Sequence, residues 1–206
     1  MSKIRAAPLG LLGFASTTIV LSLHNAGFGL PYGSPNSVVI GLAVFYGGLA
    51  QLLAGMWEFV YGTTFTGCVF TSYGAFWLSW SAISIPFFGV QAGFSKNQNA
   101  TSAVSIGMFL MSWTIVTFIF LIATFRTNLI TVAVFSFLFI TFILLTIGDW
   151  TVTKGVVRAG GTMGIITAIL AYYDAFTQLV PLNIGFVKKL SAPLVKPKNL
   201  DDLSPE

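Results

Sequence analysis

The sequence has few charges and almost none of the residue types that build catalytic or metal sites. Charged residues make up 8% of its 206 residues, and it has one histidine and one cysteine. Soluble domains carry about 25% charged residues, so a soluble globular class is excluded. The single Cys68 excludes an internal disulfide framework and a multi-cysteine metal site. No Ser–His–Asp, nucleotide-binding or metal-ligand spacing occurs, so we expect no enzyme, metal or cofactor.

Long apolar segments are abundant instead. Apolar stretches of about 20 residues, the length that crosses a bilayer, recur along the whole chain. We predict an all-α membrane protein with six transmembrane helices at about residues 8–30, 37–59, 65–89, 102–124, 128–149 and 160–182. Pro/Gly/Asn turns such as PYGSPN (31–36) separate them. Residues 1–7 and 183–206 then form cytoplasmic tails around a transport domain at 8–182, and we expect the charged, proline-containing C-terminal tail to be disordered.

The distribution of positive charges predicts an orientation. With six spans both termini share one side, which carries seven of the ten Lys and Arg residues, while Lys96, Lys154 and Arg158 lie on the other side. The positive-inside rule therefore places both termini in the cytoplasm, here beneath the plasma membrane. The net charge of +4 reflects this topology, and we expect no nucleic-acid partner. The sequon at Asn99 falls on the outer face, and whether it is glycosylated stays open.

Four predicted spans carry polar residues at helical spacing. The stripes are Phe14–Thr18–Ser22–Asn25, Gly47–Gln51–Ala54–Glu58, Phe137–Thr141–Leu144 and Thr167–Leu170–Asp174–Thr177. Lipid cannot satisfy amides, hydroxyls and carboxyls, so these faces should line the bundle interior or a watery path. The structural alternative is that each hydroxyl donates a hydrogen bond to a backbone carbonyl of its own helix. We interpret the GxxxG beginning at Gly160 as a site of close helix packing and not as a ligand site.

Positive charges are absent from the apolar core of every span. An anion at the bilayer centre is costly without a partner. An acidic solute would therefore cross as the neutral acid, or have its charge met by hydroxyls, amides and helix termini. A small weak acid or a neutral solute such as urea fits this interior, whereas phosphate-sized or multiply charged ligands do not.

Three motifs together resemble a known family. The segments APLGLLGFASTTIVLSLHNAGF, FYGGLAQLLAGMWEF and FTSYGAFWLS, with FSFLF further on, are similar to the acetate uptake transporter family, the succinate–acetate permeases of microbes. The resemblance covers about residues 5–182. It implies a ring-shaped homohexamer with one pore per protomer, which moves acetate, and in some members succinate, together with protons.

The N-terminal motif of that family usually reads Asn-Pro-Ala-Pro-Leu-Gly-Leu. Here Arg5 and Ala6 replace its first two residues, whereas Pro8, Leu9 and Gly10 are retained. The departure removes any role of the leading Asn-Pro pair. The proline remains well placed for the first turn of a helix.

The resemblance also implies an apolar constriction built from three spans. By motif position it carries over to Phe14, Tyr73 and Phe137. The third position is often Leu in the family, so the larger Phe137 ring would narrow the gate. An aromatic collar gates by dewetting and by size. Core packing is the structural alternative, because Phe accounts for 20 of the 206 residues.

Three ionisable residues within the spans are candidates for a proton or substrate relay: His24, Glu58 and Asp174. Histidine titrates near neutral pH, and an intramembrane carboxyl needs a partner or a proton. The structural alternatives are an interfacial hydrogen bond for His24 and a helix-packing bond for Glu58. Asp149 ends the fifth span, where we expect it to be solvated.

We therefore predict a permease for acetate and related short monocarboxylates, with succinate as a further candidate, coupled to protons. The solute would meet Thr18, Asn25 and the Tyr73 hydroxyl before it passes the collar. One alternative is a passive channel for acetate or for a neutral solute such as urea or ammonia. A non-transporting sensor or scaffold is another. The sequence leaves open the choice between symport and channel and the preferred carboxylate.

Overall fold

The computed structural model describes residues 4–31, 34–94, 99–180, 190 and 192–194. Its long helices are α1 (Ala7–Ala26), α2 (Val39–Tyr61), α3 (Thr64–Ser84), α4 (Asn99–Thr124), α5 (Leu129–Trp150) and α6 (Lys154–Leu179). Within α2, the stretch Phe45–Ala50 is π-helical, and short 3₁₀ turns at Pro86–Phe88 and Gln91–Gly93 follow α3. The described residues contain no strand, only an isolated bridge between Asn128 and Pro193. The predicted all-helical class is confirmed.

The helix ends differ from the predicted ones where single residues stop or start a helix. Gly27 adopts a left-handed conformation with φ 73°, so α1 ends at Ala26 and not at residue 30. Ile85 is extended because Pro86 follows it, and this ends α3 before residue 89. The last span was predicted to begin at about residue 160, which is wrong, because α6 already begins at Lys154.

Five of the six helices are long and apolar enough to cross a membrane. The remaining helix, α3, is not among these five, because its Thr, Ser, Tyr and Trp residues lower its hydropathy. Its central side chains, including Tyr73, Phe76 and Trp77, are buried against the other helices. A helix enclosed by protein need not be apolar on every face.

The helices form a closed ring around an interior space. α1 packs between α2 and α6, α5 packs between α6 and α4, and α2 packs against α3. Aromatic side chains close the ring between α3 and α4: the Phe76 ring lies 5.7 Å from that of Phe109 and 5.1 Å from that of Trp113. α1, α3 and α5 run in the same direction through the bundle, because earlier residues of each line one interior cavity and later residues of each line the other.

Glycines on α6 allow two neighbouring helices to approach closely. A Cβ atom at Gly161 would overlap the backbone of α1 at Ala26, and one at Gly164 would overlap the Ser22 hydroxyl. Gly160 instead faces Leu145 of α5, 2.8 Å from the position that a Cβ would occupy. The predicted GxxxG pair thus serves two different helix contacts.

Gly161→Val tests the α1–α6 contact. The added side chain has no room, so we expect the free energy of unfolding to fall by about 2 kcal/mol, and Tm in detergent by several degrees. Gly155→Val is the matched control, because a Cβ on Gly155 of the same helix meets no atom within 4 Å. Equal Tm values for the two variants would contradict the close contact.

Candidate transport pathway

The ring of helices encloses two cavities on opposite sides of its centre. We call the end of the bundle where α1 begins the terminal face, and the opposite end the distal face. A cavity of ≈ 280 Å³ lies toward the distal face, and one of ≈ 400 Å³ lies toward the terminal face. They are named here the distal and the terminal cavity.

Two layers of apolar side chains separate the cavities. The three parallel helices each contribute a pair of residues three positions apart: Leu11 and Phe14 from α1, Phe70 and Tyr73 from α3, and Phe135 and Leu138 from α5. The first member of each pair lines the terminal cavity and the second lines the distal cavity. Spacing by three residues keeps both members near one helix face, so one repeated pattern builds both layers. We call these six residues the constriction.

Tyr73 lies at the centre of the constriction. It is 1% exposed, and its ring centroid lies 5.7 Å from that of Phe14 and 6.2 Å from that of Phe135. Its hydroxyl lies 2.8 Å from Oγ1 of Thr117, which itself donates to the carbonyl of Trp113. The Tyr73 hydroxyl therefore donates to Thr117 on α4. Because the Tyr73 hydroxyl already bonds to Thr117, the structure does not support the predicted contact between that hydroxyl and the solute.

Phe137 does not reach the constriction. It is half-buried and lines neither cavity, whereas its neighbour Leu138 is 3% exposed and lines the distal cavity. A shift of one residue rotates the side chain by about 100° around a helix. The structure therefore does not support Phe137 as the third collar residue, and Leu138 occupies that position.

The distal cavity is polar on one wall and aromatic on another. The α1 stripe of Phe14, Thr18, Ser22 and Asn25 lines it along its length. Aromatic side chains of α3, among them Trp77, also line it. Among the described residues that line this cavity, none is Lys, Arg or His, and the charged one is Asp149.

The terminal cavity contains charged and amide side chains. Arg5, Asp174, Thr177 and Gln178 line it, together with Asn128 and other residues near the start of α5. Asp174 is 6% exposed, and its Oδ1 accepts a hydrogen bond of 3.0 Å from Nε2 of Gln178. The predicted carboxyl of the sixth span thus lies at a cavity wall with an amide partner.

Part of the predicted C-terminal tail touches the rim of this cavity. The N–H of Leu194 donates to the carbonyl of Thr127 at 2.7 Å, and Leu190 packs against the core. These contacts contradict disorder at Leu190 and Leu194. Most other residues of the predicted tail lie outside the described residues, as does the side chain of Asn99.

Glu58 joins the start of α1 to the end of α2. It is fully buried, and its Oε1 accepts from the backbone N–H groups of Ala6 at 2.8 Å and Ala7 at 3.0 Å. Its Oε2 lies 3.1 Å from the Arg5 guanidinium and accepts from Thr63. The carboxylate therefore caps the N-terminus of α1, and because it lines neither cavity this geometry favours the structural role.

Most of the remaining predicted residues line neither cavity. His24 lines neither cavity. Pro8 lies in the first turn of α1, Leu9 is 44% exposed, and Gly10 packs under the Phe70 ring. Asp149 lines the distal cavity, so it does not simply face solvent as we expected. The α2 stripe is buried without lining either cavity.

Several pathway residues were missed from the sequence. Leu11, Phe70, Phe135, Leu138 and Trp77 line the cavities, and none was singled out. The signal was present as three apolar pairs at the same spacing on α1, α3 and α5. Recognising it required knowing which helix faces point inward. Among the described residues, no group of His, Cys, Asp and Glu could hold a metal ion.

Comparison with known proteins identifies the family. The family model described as GPR1/FUN34/yaaH matches residues 2–195. The chain belongs to the GPR1/FUN34/yaaH family. This confirms the resemblance predicted from the sequence motifs, and it makes the chain a multi-pass membrane protein of a transporter family.

Several similar proteins are named as transporters or channels. The chain is 40% identical over 94% of its length to the ammonia transport outward protein 2 of Saccharomyces cerevisiae, of which it spans 67%. It is 34% identical to the succinate-acetate/proton symporter SatP of Escherichia coli, over 87% of this chain and 90% of that one. The solved structure of the bacterial acetate channel SatP matches with a TM-score of 0.75 at 34% identity, covering 85% of this chain and 92% of that one.

Glu58→Ala tests the cap at the start of α1. Removal of the carboxylate leaves the N–H groups of Ala6 and Ala7 without their acceptor, so the free energy of unfolding should fall by about 1–3 kcal/mol. Glu58→Gln keeps an acceptor oxygen and should lose less. The measurement is Tm in detergent. Abolished transport with unchanged Tm in Glu58→Ala would contradict the structural role.

Proposed function

We propose that this protein is a permease of the plasma membrane that moves acetate and similar short monocarboxylates together with protons. The observation that carries the proposal is the pair of cavities on either side of a two-layer apolar constriction. Such an arrangement binds solute at both ends of a pathway and excludes water and ions between them. The names of the relatives supply acetate as the solute.

The orientation follows from the charges. The positive-inside rule assigns the terminal face to the cytoplasm and the distal cavity to the outside. A solute taken up by the cell therefore enters past the polar stripe of α1, with Thr18, Ser22 and Asn25, before it reaches Phe14 and Tyr73.

Proton coupling follows from the chemistry of the constriction. Its six side chains offer neither a charge nor a free polar group to an anion, so the acetate ion would cross without compensation. The neutral acid crosses at a much lower cost and carries its proton with it. On the cytoplasmic side the acid ionises in the terminal cavity. Asp174 lies there as the group that exchanges the proton, with Gln178 as its hydrogen-bond partner.

The assembly we propose is the homohexamer that the family resemblance implies, with one pathway in each protomer. The outward faces of α2 and α4 are apolar and exposed, with Phe45, Leu53, Ile115 and Ile119 each more than half exposed. Such faces contact either lipid or a neighbouring protomer.

A passive channel for a small neutral solute is the second candidate. A cation-free apolar constriction also suits ammonia, and one relative is named an ammonia transport outward protein. This candidate predicts equilibration of the solute without accumulation against its gradient.

Uptake of radiolabelled acetate into proteoliposomes tests the proposal. With an inside-alkaline pH gradient we expect acetate to accumulate faster than it does in empty liposomes, which acetic acid also enters unaided, and with no gradient we expect only equilibration. Co-transport is then checked by the acidification of the lumen, read with an entrapped dye. An acetate uptake rate equal to that of empty liposomes would refute the proposal. If the same proteoliposomes show rapid ammonia flux, the second candidate is favoured.

The position of Leu138 leads to a prediction about solute size. Leu138→Ala removes bulk from the distal layer of the constriction, so the ratio of butyrate to acetate uptake should rise by about tenfold. Phe137→Ala is the matched control on the neighbouring residue and should leave the ratio unchanged. A larger change in the control than in Leu138→Ala would show that the constriction is assigned to the wrong residue.

A further inference from the structure

We infer that an internal water molecule is bound between α2 and α3, where it joins the side-chain amide of Gln51 to the indole N–H of Trp77. The site lies behind the wall of the pathway, so its ligand is water and not the transported solute. Through this water, Gln51 positions a ring that lines the distal cavity. The inference goes beyond the proposed function and does not depend on the identity of the solute.

Gln51 is completely buried behind the constriction. It is 0% exposed and lines neither cavity. A Cβ on Gly13 of α1 would lie 3.6 Å from the Cβ of Gln51. Gly13 directly precedes Phe14, a member of the constriction. Gln51 therefore lies at the same depth of the bundle as the constriction but outside the path of the solute.

The Gln51 amide has no partner in the protein. Neither its Oε1 nor its Nε2 makes a hydrogen bond, and both atoms are buried. An amide offers two donors and an acceptor oxygen, and leaving them unpaired destabilises a fold. Internal water commonly satisfies buried polar groups that find no partner in the protein.

A second buried donor converges on the same place. Trp77 is 3% exposed, and its indole N–H also makes no hydrogen bond. A Cβ on Gly47, one turn before Gln51 on α2, would lie 2.9 Å from Cδ1 of Trp77, the ring atom bonded to Nε1. Side chains on a helix lean toward its N-terminus, so the Gln51 side chain extends over Gly47. The amide and the indole N–H therefore approach each other beside this glycine.

The bend in α2 supplies a third polar group at the same glycine. The N–H of Gln51, at the end of the π-helical stretch, donates to the carbonyl of Tyr46, five residues back. The α-helix resumes at Gln51, and its N–H groups donate to carbonyls four residues back. The change of spacing from five residues to four passes over the carbonyl of Gly47. This carbonyl is therefore available to accept from the water.

The chemistry of the three groups favours water over an ion. The indole N–H needs an acceptor, whereas Oε1 of Gln51 and the Gly47 carbonyl need donors. An anion would leave both oxygens unpaired, and a cation would leave the N–H unpaired. Water accepts from the indole and donates to the two oxygens, and three such bonds are typical of an internal water molecule.

The site fixes the orientation of the Trp77 ring. Nε1 is buried and the neighbouring Cδ1 lies at Gly47, so the N–H edge of the indole faces α2. The ring also packs on that of Phe76, with centroids 5.0 Å apart. The water ties the free edge of the ring to α2, and Gln51 thereby acts as a positioning residue for the wall of the distal cavity.

Solid-state NMR of the full-length protein in lipid bilayers tests the site directly. With ¹⁵N-labelled tryptophan, the chain has five indole N–H groups to observe, and Trp77→Phe assigns the signal of Trp77. We expect a cross peak between this N–H and water in the wild type, and its loss in Gln51→Met. Trp80 also lines the distal cavity, so its signal reports cavity water and should be the same in both proteins.

Tm in detergent provides an independent measurement. Gln51→Met keeps the length of the side chain but removes the amide, which leaves the indole N–H and the water short of a partner. Tm should therefore fall by several degrees. Gln91→Met is the control, because Gln91 is exposed, and it should keep the wild-type Tm. Trp77→Phe combined with Gln51→Met should lose less than the sum of the two single losses, since both substitutions break the same site.

Three results would overturn the inference. A higher Tm for Gln51→Met than for the wild type would show an amide without water, because removal of an unpaired buried group stabilises a fold. A Trp77 cross peak that is absent from the wild type, or that persists in Gln51→Met, would show that no water joins the two side chains. Additive Tm losses would show that they act independently. None of these measurements uses acetate, so a failure of the proposed function leaves the test of the water site intact.

Discussion

A hydrocarbon environment offers no hydrogen bonds, and most of this structure follows from that constraint. Each polar group within the bundle must find its partner in the protein or face a cavity. Most of the buried hydroxyls bond to carbonyls of their own helix, and Glu58 receives the N–H groups at the start of α1. Thr18 and Trp77 have no partner and line the distal cavity, and Thr71, Ser81 and Nδ1 of His24 are also buried without a partner. Gln51 is also without a partner in the protein.

The constriction shows how a short sequence pattern builds a barrier. Three parallel helices each bring two apolar side chains at the same spacing, and the pairs meet at the same depth of the bundle. The rings of Phe14, Phe120 and Phe135 lie in tilted contact with that of Tyr73. The Tyr73 hydroxyl is held by Thr117, which keeps even this polar tip away from the path. A barrier of this kind excludes ions through the cost of desolvation and does not need a charged filter.

The two cavities differ in character, and this difference suits a solute that changes its charge. The distal cavity is lined by neutral donors and aromatic rings, with Asp149 at its wall. The terminal cavity has Arg5, Asp174 and Gln178 among its lining residues. Arg5 is held by Glu58 and lies over the ring of Tyr61, so its charge is partly compensated. Asp174, with one amide partner, is the carboxyl within α6 that faces this cavity.

The sequence by itself determined the all-helical class, the approximate positions of the long helices and the family. Apolar length and the scarcity of charge fix a membrane bundle. The helix ends before Gly27 and Pro86 are also set by local residues, although the predicted spans ran past both. The spacing of Phe14, Thr18, Ser22 and Asn25 also identified the polar face of α1.

Only the tertiary structure decided which faces meet. It placed Leu138 in the constriction in place of Phe137, engaged the Tyr73 hydroxyl, and made Glu58 a cap for a helix about 50 residues away in sequence. These outcomes depend on helix rotation. A rotation of about 100° separates adjacent residues, and close contacts such as those at Gly47 and Gly161 set it. A highly apolar sequence leaves that rotation undetermined, since lipid and protein surroundings accept the same residues.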